Sequence, residues 1–322
     1  MNLKRLISLV ISLGFLVFLY SKIPFANIIP VFLDASMVWL VASLAMVVPL
    51  TAVTAWRLCL LMPRQHPLKL LESNRLILLA SVLNMVLPSK MGDVAKAGFM
   101  ARKGHLPGSL AVSLVVFEKA CDMLSLLLWC VFGLLVYPTK DALFWLMTAG
   151  TAAGLIGLGL LVGSQRFAAW FFHAAERFAP GKVRQKITRL HESWIEMHGY
   201  FWKDRANLAR IVFVSIGVWF LHLVQIWMFT VAIRESVPFM ANLALAPLGI
   251  LAGLLPLTFA GVGTRDAALV LLYAPYMPEA AGAALGVLCT MRYFLPALAG
   301  LPFVGHELAE FTARRKATSQ AS

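Results

Sequence analysis

The stretch Leu83–Gly104 reads LNMVLPSKMGDVAKAGFMARKG. An apolar run enters it from Leu76 and stops at Leu87 and Pro88, and a break of small residues follows that includes Gly92 and carries Lys90, Asp93 and Lys96. Proline removes a backbone donor and glycine permits dihedrals closed to other residues, so a helix breaks here. In a soluble protein this would be an ordinary turn. Within a membrane, irregular backbone and charge persist only where protein buries them or where they line a polar cavity. The stretch is therefore the first candidate for a site.

The composition places it in a membrane. Hydrophobic residues make up 60% of the chain and charged residues 13%, with a mean hydropathy of +0.81. Soluble domains carry about 45–50% apolar and about 25% charged residues. The net charge of +13 does not indicate nucleic acid, because the basic residues sit in short loops beside apolar runs and no basic soluble domain carries them. The four cysteines, Cys59, Cys121, Cys130 and Cys289, lie in apolar segments without CxxC or Cys/His spacing, and read as small buried hydrophobes. No cofactor or metal site is expected.

Outward from the break, apolar runs near the spanning length recur. Lys4 and Arg5 hold the start of a first span, Leu6–Tyr20, on the cytoplasmic side, and the near-neutral loop Ser21–Ser36 is external. Met37–Leu61 returns, kinked at Pro49, with Arg57 near the inner interface. Leu76–Leu87 is too short to cross and has basic flanks on both sides, which gives a re-entrant hairpin entering from the cytoplasm with its tip near Pro88–Asp93. Ser109–Tyr137 and Leu143–Val162 cross outward and back, and Ile211–Ile233 crosses outward again. Leu243–Leu257 and Ala267–Tyr276, interrupted by Pro256, Gly261 and Gly263, form a second hairpin entering from outside; Ala280–Val304 is the last crossing. The expected fold is an all-α polytopic membrane protein of six full spans plus two broken hairpins, or eight spans if both arms of the second hairpin cross. Residues 1–304 form one domain with halves at 1–140 and 141–304, followed by a basic cytoplasmic tail, 305–322.

The hydrophilic segment 164–210 is basic and cytoplasmic. Val183, Ile187, Leu190, Trp194, Met197 and Phe201 fall on one helical stripe within it,. Such a stripe suits either a helix lying on the inner leaflet or one packing on the ends of the spans. Gly150, Gly154, Gly159 and Gly163 have the spacing of close helix packing,.

The two breaks echo each other. Val86–Asp93 and Leu254–Asp266 each end an apolar half-helix at Leu-Pro, then place small residues and a basic–acidic set. Paired Pro/Gly-interrupted segments in corresponding halves point to the binding site of an inverted-repeat transporter. The candidate residues are Asn84, Lys90, Asp93 and Lys96 at the first break, Arg265 and Asp266 at the second, and Glu118, Lys119 and Asp122 on the intervening span. Ionised groups inside a bilayer pair or face water. Lys90, Lys96 and Arg265 therefore pair with Glu118, Asp122, Asp93 and Asp266. These pairs either staple the hairpins or line a polar cavity that holds a headgroup. His222 and Gln225 read as interhelical hydrogen bonds.

The set Asn84, Leu87, Pro88, Ser89, Lys90, Gly92, Asp93 and Lys96 resembles the membrane domain of the lysylphosphatidylglycerol synthase/flippase family. Glu118 and Lys119 with Asp122, and the run Leu255–Asp266, resemble that family's later motifs. Lys stands at Lys90, Lys96 and Lys119 where the family usually has Arg, and Asp at Asp93 and Asp266 where Glu is frequent. Charge is kept, without the bidentate fork of arginine. The resemblance implies lipid translocation without enzymatic activity, since the soluble aminoacyl-transferring domain of the bifunctional members is not expected here.

The reading is a flippase-like transporter of the bacterial inner membrane with both termini cytoplasmic. Its partners are membrane lipids: an anionic or aminoacylated phospholipid, a hopanoid or a polyprenyl lipid. A homo-oligomer and a separate lipid-modifying enzyme are the protein partners left open. The rival readings are a polyprenyl-phosphate glycosyltransferase or its accessory protein, and a non-transporting scaffold.

Overall fold

The computed structural model describes residues 25–86, 92–102, 106–137, 140–254 and 263–304. Among them every regular element is helical. In chain order they are α1 (Phe25–Leu33), α2 (Met37–Ala45), α3 (Val47–Leu61), α4 (Leu70–Val86), α5 (Gly92–Arg102), α6 (Gly108–Val136) and α7 (Ala142–Gly163). Then follow α8 (Gln165–Phe178), α9 (Gly181–Lys203), α10 (Arg205–Ala232), α11 (Phe239–Gly253), α12 (Thr264–Tyr273) and α13 (Glu279–Met291), with α14 at 294–304.

Five helical stretches among the described residues are long and apolar enough to cross a membrane: Met37–Leu61, Gly108–Val136, Ala142–Gly163, Arg205–Ala232 and Glu279–Val304. They match five of the six expected full spans. The expected first span, Leu6–Tyr20, and the basic tail, 305–322, lie outside the described residues. The external loop expected at Ser21–Ser36 instead contains α1, whose Ile28 is buried against Val270, Ala283 and Ala284.

Two spans are broken one turn ahead of a proline. Pro49 has no N–H for the Ala45 carbonyl, and the Met37–Leu61 span interrupts its helix at Met46,. Pro296 likewise has none for the Arg292 carbonyl, and the last span turns at Arg292 and Tyr293 between α13 and α14,.

Both expected hairpins have packed arms, α4 on α5 and α11 on α12. The first arm begins at Leu70, earlier than its apolar run suggests. The hairpin breakers Pro88, Pro256 and Gly261 lie outside the described residues. Gly92 opens α5, where its amide donates to Asn84 Oδ1 at 2.9 Å. A Cβ at Gly92 would collide with the Ala80 carbonyl. Gly263 precedes α12 at φ 101°, a left-handed conformation that favours glycine. Its amide donates to Asp266 Oδ2 at 3.1 Å. Each return arm therefore starts on a glycine whose N–H a nearby side chain satisfies.

The span after each hairpin approaches the first arm of the other. On α6, Gly133 lies so close to the Ala244 carbonyl of α11 that a side chain would collide with it. On α14, Gly300 does the same against the Leu78 carbonyl of α4. Lipid supplies no hydrophobic drive between helices, so close backbone approach carries more of the packing. The glycines expected to serve this role on α7 do not. Gly150, Gly159 and Gly163 face open space, and only Gly154 meets a neighbour, the Leu127 side chain at 3.1 Å. Spacing alone does not say which face of a helix meets protein.

The segment 164–210 also resolves between its two readings. The α9 stripe packs on α6, with Trp194, Met197 and Phe201 buried. Phe201 stacks on Phe117 with ring centroids 4.0 Å apart. Ile187 and Leu190 are partly buried against the same cluster.

Helix α6 runs through the two larger apolar cores among the described residues. Leu114, Phe117 and Cys121 belong to the core with α3, α4, α5 and α9, while Leu126, Cys130 and Leu134 belong to the core with α10–α13. Glu118, Lys119 and Asp122 fall around that changeover.

Candidate functional site

A cavity of about 390 Å³ lies where the two hairpins and the broken spans meet. Its polar wall draws on both halves of the chain: Asn84, Asp93, Glu118, Lys119 and Asp122 from the first, Arg265, Thr290 and Arg292 from the second.

The first-half charges form one continuous network. The Arg57 guanidinium donates to Glu118 Oε1 at 3.1 Å, to Asp122 Oδ1, and to Ser215 Oγ at 3.3 Å. The Lys96 ammonium meets the other Glu118 oxygen. Lys119 bridges Asp93 at 3.0 Å and Asp122 at 3.3 Å. Burial is graded across it: Arg57 and Glu118 side chains are 2% exposed and Lys96 is 0%, whereas Lys119 is 48% exposed. The network thus has a sealed core and an accessible edge. Sealed pairs hold helices in register, since removing one partner strands the other charge away from water. Edge groups can exchange partners with a ligand at little cost.

In the second half Arg265 donates to Asp266 Oδ1 through Nε at 2.9 Å and Nη2 at 2.6 Å. It also reaches Thr290 Oγ1 at 2.6 Å and the Gly286 carbonyl at 3.1 Å. This ties α12 to α13. Asp266 is buried, and its carboxylate also accepts from the first amide ahead of α12. The negative charge sits at a helix N-terminus, where the backbone dipole favours it.

Of the residues expected from sequence, Asn84, Asp93, Glu118, Lys119, Asp122 and Arg265 line the cavity. Lys96 and Asp266 stand behind it, each paired with a lining residue. Lys90 lies outside the described residues. The pairings differ in detail from expectation, because Lys119 rather than Lys96 holds Asp93 and Asp122.

Sequence reasoning missed two arginines. Arg57, read as an interfacial residue, is turned inward at the centre of the first network. Arg292 falls near the midpoint of the span Glu279–Val304 and is 5% exposed. Each was detectable as a lone cation with apolar neighbours on both sides, a pattern that marks a functional position by default. Gln225, read as an interhelical hydrogen-bonding group, does donate to the Ser43 carbonyl at 2.9 Å. Its other amide atom accepts from Arg292 at 3.5 Å, which brings it into the cavity wall.

The geometry can be set beside known proteins. The family described as the lysylphosphatidylglycerol synthase TM region matches residues 5–300. A UPF0104 membrane protein of Methanocaldococcus jannaschii is 24% identical over 244 residues, covering 70% of this chain and 71% of the relative.

Proposed function

Because the chain belongs to the lysylphosphatidylglycerol synthase TM region family, a group of multi-pass membrane proteins tied to lipid handling, we propose that it moves a polar lipid between leaflets. The observation that carries this reading is the cavity itself. It sets charged side chains from both halves into a largely apolar wall, it is lined by residues of both hairpins, and it sits among spans long enough to cross a bilayer. A lipid headgroup would occupy the cavity while its acyl chains stay in the membrane. The accessible edge, Asp93, Lys119 and Asp122, would exchange partners with the headgroup. The sealed pairs Arg57–Glu118, Lys96–Glu118 and Arg265–Asp266 would hold the walls. The two halves, approximately 1–140 and 141–304, would move relative to one another about their reciprocal glycine contacts. On this reading the protein is a transporter and performs no catalysis of its own. It works in the bacterial inner membrane with both termini in the cytoplasm.

Leaflet exchange in proteoliposomes tests this. Headgroup-labelled anionic, zwitterionic and aminoacylated lipids are reconstituted with purified protein, and outer-leaflet label is quenched chemically. The native protein should expose at least one class faster than protein-free vesicles, and folded Asp93→Asn should not. Exchange at the protein-free rate for every class, with hopanoid and polyprenyl tracers included, removes the transport reading in favour of a scaffold. Turnover of a nucleotide-sugar by the pure protein would replace it with a glycosyltransferase.

A further inference from the structure

Helix α8 has two apolar faces, and they have different surroundings. Ala168 and Phe172, one turn apart, are buried in the core with α6 and α9. Phe167, Trp170, Phe171 and Ala174 lie at the spacing of a second face,. On it Trp170 is 63% exposed and Phe171 47%, and the Phe167 and Trp170 rings lie 5.5 Å apart. Arg166, His173 and Arg177, all exposed, run along the edge of that face. The one carboxylate of α8, Glu176, is half-buried and accepts from Thr188 Oγ1 of α9 at 2.8 Å. The exposed carboxylates Glu192 and Glu196 belong to α9. An aromatic face with a cationic edge of its own is therefore left uncovered by this chain, and exposed apolar surface of this kind marks a place of contact.

The depth of that face is set by α7. Helix α7 ends at Gly163, and Ser164 turns the chain in an extended conformation and accepts from the Phe167 amide at 3.3 Å. On the last turn of α7 the Val162 carbonyl accepts from His198 Nε2 at 2.7 Å and from Trp202 Nε1 at 3.3 Å, both on α9. The α8–α9 pair is thereby fastened to the end of a 22-residue apolar span. The end of a crossing helix lies at the headgroup layer. There indole rings settle among the lipid carbonyls while arginines reach acidic headgroups. Trp202, 39% exposed, stands at the same level. The leaflet contact that the sequence left open for α9 thus falls to α8, because α9 spends its stripe on α6.

We propose that α8 is an interfacial helix. Its Phe167, Trp170 and Phe171 face enters the leaflet at which α7 ends, the cytoplasmic one on the reading above, with Arg166 and Arg177 seated on acidic headgroups. The partner of this surface is the leaflet as a whole. The contact is separate from any lipid held in the cavity and does not depend on transport.

The full chain is placed in nanodiscs of phosphatidylcholine with about one third phosphatidylglycerol, a strongly anionic surface. The acyl chains are plain or brominated near their carbonyl ends. Bromine quenches an indole in contact with it, and acrylamide quenches one open to water. The chain has nine tryptophans, so the share of Trp170 is the native emission minus that of Trp170→Phe. Brominated lipid should remove most of that share and acrylamide little of it. Quenching by acrylamide alone puts the face in water, and quenching by neither puts it under protein such as a second copy. Either result overturns the proposal.

Amide exchange over residues 165–178 tests the charge. It should slow at least about fivefold in the native protein on passing from pure phosphatidylcholine to the anionic mixture. The double variant Arg166→Gln/Arg177→Gln should lose that dependence. Lys140→Gln, at an exposed cation beside the opposite end of α7, should keep it. Exchange in the native protein that ignores lipid charge, or equal slowing in the double variant, removes the anionic leaflet as the partner.

Discussion

Arg57 and Glu118, separated by 61 positions in the chain, meet at 3.1 Å with both side chains 2% exposed. One link joins α3 to α6, and through the second Glu118 oxygen Lys96 joins α5 to the same point. Three helices of the first half are therefore tied by one carboxylate.

Breaking that point is expensive. Glu118→Gln leaves Arg57 and Lys96 sharing a neutral amide, and should destabilise the protein by about 3–5 kcal/mol. Arg57→Met alone should cost a similar amount. The double variant should cost clearly less than the two single losses combined, because each single change already removes the Arg57–Glu118 pair, leaving Arg57 on Asp122 or Glu118 on Lys96,. Thermal melting of the four proteins in detergent reads this directly, and simple additivity would mean that the pair is not coupled.

The edge of the network behaves differently. Asp93 is paired with a lysine that is 48% exposed, and such pairs contribute at most about 1 kcal/mol. Asp93→Asn should therefore melt within a few degrees of the native protein and lose leaflet exchange. A variant that melts far lower would place Asp93 among the structural pairs.

Glycine substitutions distinguish packing from spacing. Gly133→Ala and Gly300→Ala put a methyl against a facing carbonyl, and each should cost about 1–3 kcal/mol through forced separation of the helices. Gly150→Ala and Gly159→Ala meet nothing within 4 Å. They should be neutral or stabilising by up to about 1 kcal/mol, as alanine in a helix generally is. Parallel melting curves of the four variants are sufficient.

The docking of α9 rests on a small aromatic cluster. Phe201 is 1% exposed and stacks on Phe117, with Trp194 beside it. Phe201→Ala should cost about 3–5 kcal/mol and should raise amide exchange along α9 before the spans respond. Trp170 on α8 is 63% exposed, and Trp170→Ala should leave both unchanged in detergent. Uniform exchange across spans and α9 in Phe201→Ala would show that α9 is not a separately released unit.

Much of the fold was legible in the chain because its causes are local. A bilayer demands apolar runs of a given length, and Met37–Leu61, Gly108–Val136 and Arg205–Ala232 supply them within single segments. Proline and glycine clustered together end an apolar helix, so the arms of both hairpins could be placed from the chain, the first of them beginning at Leu70 instead of Leu76,. The ionisable residues at Asp93, Glu118, Asp122 and Arg265 stood out against apolar surroundings, and the cavity gathers them.

Tertiary structure decided what depends on the rotation and contact of helices distant in sequence. It turned Arg57 inward to Glu118, set Lys119 rather than Lys96 on Asp93, and left Arg292 facing the cavity without a carboxylate. It also chose Gly133 and Gly300 for close approach over the regularly spaced glycines of α7. Periodicity gives the faces of one helix, but which face meets which partner is settled only when all the helices pack together.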